Sequence, residues 1–165
     1  MTSVNVNVQG SDEVRRRFLS FLNDYVYDPS EDGLEDGPLL SPGLRDEARQ
    51  ASRRVYVEAL DYMDNRTTLT VDFSHLMATD DELATEAVQS NFYMYQPFLN
   101  EAVGMFVRQH RPDLIRYGGG IEKEFWVKFV NLPRVDRLRS LKANNIGQLT
   151  SFSGTVTRTS DVRPE

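Results

Sequence analysis

The residues best suited to chemistry in this sequence are basic and lie near its C-terminal end. Arg158 and Arg163 fall within a final run of small and β-branched residues. A second basic group precedes them, at Arg134, Arg137, Arg139 and Lys142. A guanidinium group keeps its charge and donates paired hydrogen bonds to phosphate. These residue types are typical of a site that binds a phosphate-bearing ligand.

The distribution of charge also favours the C-terminal end of the chain as the place where phosphate binds. Residues 1–100 carry 8 basic and 18 acidic side chains, a net charge of −10, whereas residues 134–165 carry 6 and 3, a net charge of +3. Because an acidic surface repels phosphate, we expect no nucleic acid to wrap the N-terminal part. Any contact with phosphate should concentrate at the C-terminal end.

Other candidate sites are weaker. His75 and His110 lie far apart in the sequence, and the chain has no cysteine, so we predict no metal site and no disulfide within it. Ser41-Pro42 is a minimal proline-directed phosphorylation site, but it also suits a helix start, with serine as the cap. Asp80-Asp81 falls at a predicted helix start, where the dipole favours acids. We therefore predict no catalytic residue.

Composition and hydrophobic spacing predict a mainly α fold, a helical bundle with a small β-ribbon. Hydrophobic residues make up 39% of the chain and charged residues 27%, as in globular proteins, and no run is long enough for a membrane helix. We predict helices from Ser11 or Asp12 to about residue 25, over 44–64, from a capping box at 79–82, and after Pro97. The predicted core stripes include Val14, Phe18, Phe21 and Leu22; Ala48, Ala51, Val55, Ala59 and Tyr62; Leu83, Ala87 and Val88; and Ala102, Val103 and Phe106.

Two stretches alternate between apolar and polar residues and predict half-buried strands, at 67–73 and 124–130. Both contain the pattern V-x-F-x-x-L, so we expect them to pair, with the direction left open. Residues 28–43 form an acidic loop rich in proline and glycine. The glycines at 118–120 lack the Gly-Lys-Ser or Gly-Lys-Thr of a phosphate loop, and nothing in the sequence encodes ATP hydrolysis.

The last twenty residues, 146–165, favour an extended strand over a helix, since threonine, serine and valine dominate them. Gly154 lies inside this run and indicates a bulge, a bend or close approach of another backbone. No further strand follows. We therefore expect the chain to stop just after a second domain has begun.

The residues from about 125 to 165 carry a family resemblance. The runs L-P-R-V-D-R-L-R-S-L, I-G-Q-L and S-G-T-V-T-R-T-S-D-V-R-P-E resemble the N-terminal region of minichromosome maintenance (MCM) helicase subunits, and look most like the subunit-six paralogue. The polar start of the chain, with its alternating valines, predicts a flexible segment over residues 1–10. The resemblance implies a helical subdomain 11–133, followed at 134–165 by a connector and the start of a truncated oligonucleotide-binding (OB) fold. Arg158 matches a family motif for single-stranded DNA inside the ring, and Arg163 is a weaker DNA-binding candidate.

The resemblance also implies a function for the whole protein. It would be one subunit of a nuclear hetero-hexameric, ATP-dependent DNA helicase that acts in origin licensing and fork unwinding. Its partners would be other MCM subunits, loading and activation factors, and single- and double-stranded DNA, with no membrane. ATP with magnesium and a structural zinc would bind beyond residue 165, and residues 1–165 alone would be non-catalytic.

Two other interpretations stay open from the sequence. The chain could be an autonomous module that binds single-stranded DNA, which requires tight, salt-sensitive binding through Arg158. It could instead be a protein-interaction module whose acidic loop 28–43 recruits a basic partner.

Overall fold

The computed structural model describes residues 8–27, 54–63, 66–116 and 122–160. The acidic loop 28–43 with Ser41, the glycines at 118–120, and Arg163 lie outside the described residues. The described part is mostly helical with a few short strands, so the mainly α prediction is confirmed. None of its helices is long and apolar enough to span a bilayer.

Among the described residues, five helices and two single-turn helices form the helical unit. They are α1 (Val8–Asp24), α2 (Val55–Ala59) with a 3-10 turn (Leu60–Tyr62), α3 (Phe73–Thr79), a π-helix (Leu83–Ser90), α4 (Phe92–His110) and a 3-10 turn (Pro112–Ile115). Helix α1 packs along α4. The predicted inner face of α1 is confirmed, since Val14, Phe18, Phe21 and Leu22 are buried. The helix begins at Val8, before the predicted cap.

The second predicted helix has a different buried face from the one expected. Tyr62 is 82% exposed, whereas Tyr56, Leu60 and Met63 are buried. Each face of this segment carries one tyrosine, and the buried face adds Leu60 and Met63 where the other has Val55 and Ala59, so it removes more apolar area from water in total. Residues 44–53, including Ala48 and Ala51, lie outside the described residues.

The break between the π-helix and α4 also differs from the prediction. We expected Pro97 either to kink this helix or to start another; Pro97 lies inside α4, so it starts no helix, and the interruption falls at Asn91. The Ser90 hydroxyl donates to the Thr85 carbonyl and the Asn91 amide to the Glu86 carbonyl, both at 2.8 Å. These side chains satisfy carbonyls that a helix end leaves without partners, so the π-helix can end there and α4 can begin.

The predicted strand pair is confirmed, and its direction is parallel. Strand β1 (Thr68–Asp72) pairs with β2 (Trp126–Val130), with Leu69 opposite Val127. A parallel pair needs a long crossover, and α3, the π-helix and α4 supply it here. Phe73 is buried as predicted, but it opens α3 instead of ending the strand, because Asp72 caps that helix by accepting from the Ser74 amide.

The prediction of one long strand over 146–165 is wrong for its described part. Only Ser151–Ser153 is a strand, β4, and it pairs in parallel with β3 (Val135–Arg137). Phe152 and Val156 are 58% and 77% exposed, so no sheet within the described part of the chain covers this strand. Gly154 has no neighbour within 4 Å of an added Cβ, so close approach of another backbone is also wrong there. The first strand of an OB-fold is not confirmed.

Candidate nucleic-acid interface

Arg158 lies in the exposed, irregular segment that follows β4. Its side chain is exposed, and it forms no hydrogen bond or ion pair with a described residue. The segment has no regular structure from Gly154 to Ser160. A guanidinium group held this way keeps all five of its donors available for a phosphate.

The basic group at 134–142 lies on the segment between β2 and β4, which we call the connector (residues 134–150). Arg137 is opposite Ser153 in the β3–β4 register, so this group is beside the strand that leads to Arg158. Arg137, Arg139 and Lys142 are exposed and have no charged partner among the described residues. Arg134 differs, because its Nε donates to Asp136 at 2.8 Å. The structure records no direct contact between Arg158 and the connector's cations.

The arginines of α1 behave differently. Arg15 pairs with Asp12 and Glu101, and Arg16 with Glu13. Arg17 donates to both carboxylate oxygens of Asp80, at 2.8 and 2.5 Å, and also pairs with Glu82. The hydrogen bonds to Asp80 raise the pKa of Arg17, and they hold the pKa of Asp80 below its ordinary value. The arginines of α1 therefore lie on a helix face whose acidic neighbours already pair with their charges.

Both histidines have structural partners. The Nε2 atom of His110 lies 2.7 Å from the Asn23 amide oxygen. The Nδ1 atom of His75 lies 3.1 Å from the Tyr56 hydroxyl, which also accepts from the Asp72 amide at 3.2 Å. Burial raises the pKa of Tyr56, so this hydroxyl stays protonated and can donate to His75. Across the described ranges, no three histidine or acidic side chains are grouped as metal ligands.

The connector is held to the helical unit at the interruption between the π-helix and α4. The Tyr93 amide donates to the Gly147 carbonyl at 3.0 Å, and the Leu149 amide donates to the Gln89 carbonyl at 2.9 Å. Leu149 also packs against the hydrophobic core. Sequence reasoning did not find this attachment. The one signal for it was Gly147 with Leu149 two residues later, a glycine close to an apolar side chain that packs against the core.

Comparison with known proteins extends over most of the chain. A family model described as the MCM N-terminal domain matches residues 15–131. The DNA replication licensing factor MCM6 of Arabidopsis thaliana is 40% identical over 99 residues, covering 60% of this chain and 12% of the relative. The DNA replication licensing factor mcm6 of Schizosaccharomyces pombe is 32% identical over 168 aligned positions, covering 93% of this chain and 18% of the relative.

The chain therefore spans less than a fifth of the length of these relatives. The family match begins within α1 and ends one residue after β2, so it contains the strand pair and the helices between its strands. Since the match includes well over half of the residues, this chain belongs to the MCM N-terminal domain family, and within it resembles the MCM6 type.

Proposed function

We propose that this chain is the N-terminal structural part of an MCM6-like subunit of the replicative helicase. The observation that carries this proposal is the family match over residues 15–131, together with relatives described as DNA replication licensing factors. The whole subunit would assemble with other MCM subunits in a nuclear hetero-hexamer. It would act in origin licensing and in ATP-driven unwinding.

The helical unit supports a role in assembly and docking. Its cations on α1 are already paired with Asp80, Glu82, Glu101 and nearby acids, which leaves this surface poorly suited to phosphate. Its charged surface suits contacts with neighbouring subunits and with loading or activation factors. Residues 11–133 would form this unit, and residues 134–165 would form the connector and the start of an OB-fold.

The DNA contact is proposed for Arg158. Its guanidinium has no described partner, and exposed cations of the connector lie beside the strand that precedes it. An arginine presented this way suits a phosphate group, and membership of the MCM family favours single-stranded DNA in the assembled ring as the ligand. Arg163, five residues further along the sequence, is a second, weaker candidate.

The test is a fluorescence-anisotropy titration of labelled oligothymidine with the full-length subunit at several salt concentrations. Replacing Arg158 with alanine should weaken binding and reduce the slope of log K against log salt by about 0.7, the value for one phosphate contact on a single strand. Arg116→Ala is the matched control, because Arg116 is also exposed but lies in the helical unit. An unchanged affinity and salt slope for Arg158→Ala would contradict the proposed DNA contact.

A second comparison separates this proposal from an autonomous DNA-binding module. Residues 1–165 alone should bind the same oligonucleotide much more weakly than the full-length subunit, because binding needs the ring or the complete OB-fold. Equal, tight binding by both proteins would instead favour the autonomous module.

A further inference from the structure

We propose that Gly147 and Leu149 fasten the connector to the interruption between the π-helix and α4, and thereby fix where Arg158 is presented. We call this attachment the latch. Its DNA consequence rests on the function proposed above for Arg158, whereas the attachment itself does not. Gly147 and Leu149 would be positioning residues, since neither reaches the ligand.

The interruption at Asn91 creates the site for the latch. A helix end leaves backbone carbonyls without partners, and a helix start leaves backbone amides without partners. The Gln89 carbonyl belongs to the end of the π-helix, and the Tyr93 amide belongs to the first turn of α4. The connector satisfies both, through the Leu149 amide and the Gly147 carbonyl. The helical unit thus holds the connector by backbone groups that a continuous helix would use internally.

The conformation at Gly147 requires glycine. Its φ angle is +86°, a region that residues with a Cβ rarely adopt. Space is not the reason, because an added Cβ would lie 3.8 Å from the Tyr93 Cβ, an ordinary contact. The left-handed turn aims the Gly147 carbonyl at Tyr93 and lets Leu149 reach the core two residues later.

The latch shortens the free tether that carries Arg158. Strand β4 begins at Ser151, two residues after Leu149, and pairs with β3 over only three positions. A strand pair of three positions is weak on its own, so β4 stays paired only while the neighbouring residues are held in place. With the latch closed, the tether runs from Ser153 to Arg158 and spans at most about 17 Å; with the latch open and the β3–β4 pair released, it runs from Leu132, which packs against the core, and spans up to about 90 Å. A shorter tether raises the effective concentration of Arg158 at a fixed DNA path.

Amide hydrogen exchange tests the latch without DNA. In residues 1–165, Gly147→Val should speed exchange of the Tyr93 and Leu149 amides by about tenfold, because a branched residue is strained at positive φ. Gly154→Val is the matched control, since Gly154 has open space and no positive φ. Gly147→Asn should restore most of the protection, because asparagine tolerates the left-handed region. Equal exchange in Gly147→Val and the unchanged chain would overturn the latch.

The DNA consequence is measured with the same substitutions in the full-length subunit. Gly147→Val should weaken oligothymidine binding by about threefold or more, while Gly147→Asn and Gly154→Val stay near the unchanged protein. If Gly147→Val opens the latch and the affinity for DNA does not change, the latch does not position Arg158, although the attachment itself is upheld. If Arg158→Ala has no effect on binding, the proposed DNA contact is wrong. The hydrogen-exchange measurement still tests the latch, because it does not involve DNA.

Discussion

Asp80 joins two parts of the helical unit, and its removal is the sharpest test of how that unit is held together. One of its carboxylate oxygens accepts from the Leu83 amide at 3.0 Å and caps the helix that follows. The same side chain accepts two hydrogen bonds from Arg17, which lies on α1. The sequence pattern at residues 79–82 predicted Thr79 as the cap, but the Thr79 hydroxyl donates to the His75 carbonyl instead.

The cost of Asp80→Ala has two parts. Loss of the cap destabilises by about 1 kcal/mol. The ion pair is partly exposed, at 30% for Arg17 and 23% for Asp80, so its charge-assisted bonds contribute about 1 to 2 kcal/mol. Together these predict a loss of about 2 to 3 kcal/mol, or a Tm lower by roughly 5 to 10 °C for a chain of this size. Asp80→Asn keeps a capping oxygen and should lose only the ion-pair part.

Urea unfolding of residues 1–165, followed by circular dichroism, measures these values. A double-mutant cycle with Arg17→Met and Asp80→Asn should give a coupling free energy of about 1 kcal/mol. The folded-state pKa of Asp80 is lowered, so its contribution is present above its ordinary pKa of about 4 and is lost as pH falls through the folded value. The difference between Asp80→Asn and the unchanged chain should therefore shrink on acidification below about pH 4.

Asp81→Ala is the control, because Asp81 is exposed and no described residue bonds its carboxylate; it should change stability by less than about 0.5 kcal/mol. A coupling free energy near zero, or equal losses in Asp80→Ala and Asp81→Ala, would refute the reasoning.

Three further predictions use the same unfolding measurement. Gly104 lies inside α4 with no atom within 4 Å of an added Cβ, so Gly104→Ala should stabilise the chain by about 0.5 to 1 kcal/mol, and a loss would contradict the open space there. Tyr56→Phe removes the hydroxyl that bonds Asp72 and His75 and should cost about 1 to 2 kcal/mol; no change would mean that water replaces it. Leu99 is fully buried, so Leu99→Ala should cost about 2 to 5 kcal/mol, and a cost below 1 would show a loosely packed core.

Much of the fold was predictable because its periodicity is strong. Helix α1 and the strands β1 and β2 show clear apolar spacing, and each buries the face that the spacing indicates. The parallel direction of the strands was not predictable, since alternation says which face is buried and nothing about the partner's direction. The position of the break at Asn91 was missed because proline is the stronger local signal, while side-chain bonds to carbonyls end the π-helix.

The sequence predicted which residue types make up the candidate site better than it predicted the secondary structure that carries them. The charge asymmetry pointed to residues 134–165, and the structure leaves Arg137, Arg139 and Arg158 exposed there. The long strand was wrong because β-propensity reports a fit to a half-buried surface, and no such surface covers residues 154–160. The latch was hard to predict because its two hydrogen bonds use backbone groups, which every sequence carries alike; Gly147 is its main signal in the sequence.

The parallel pairing of β1 with β2 also sets a time at which the chain can finish folding during its synthesis. Strand β1 leaves the ribosome first, and all of α3, the π-helix and α4 must follow before Trp126 can align with Thr68. Until then Leu69 and Val71 lack their partners, and β1 presents a free edge of the kind that chaperones and other chains bind. The helical unit should therefore become resistant to protease only once Val130 has emerged, and nascent chains halted before Trp126 should stay sensitive.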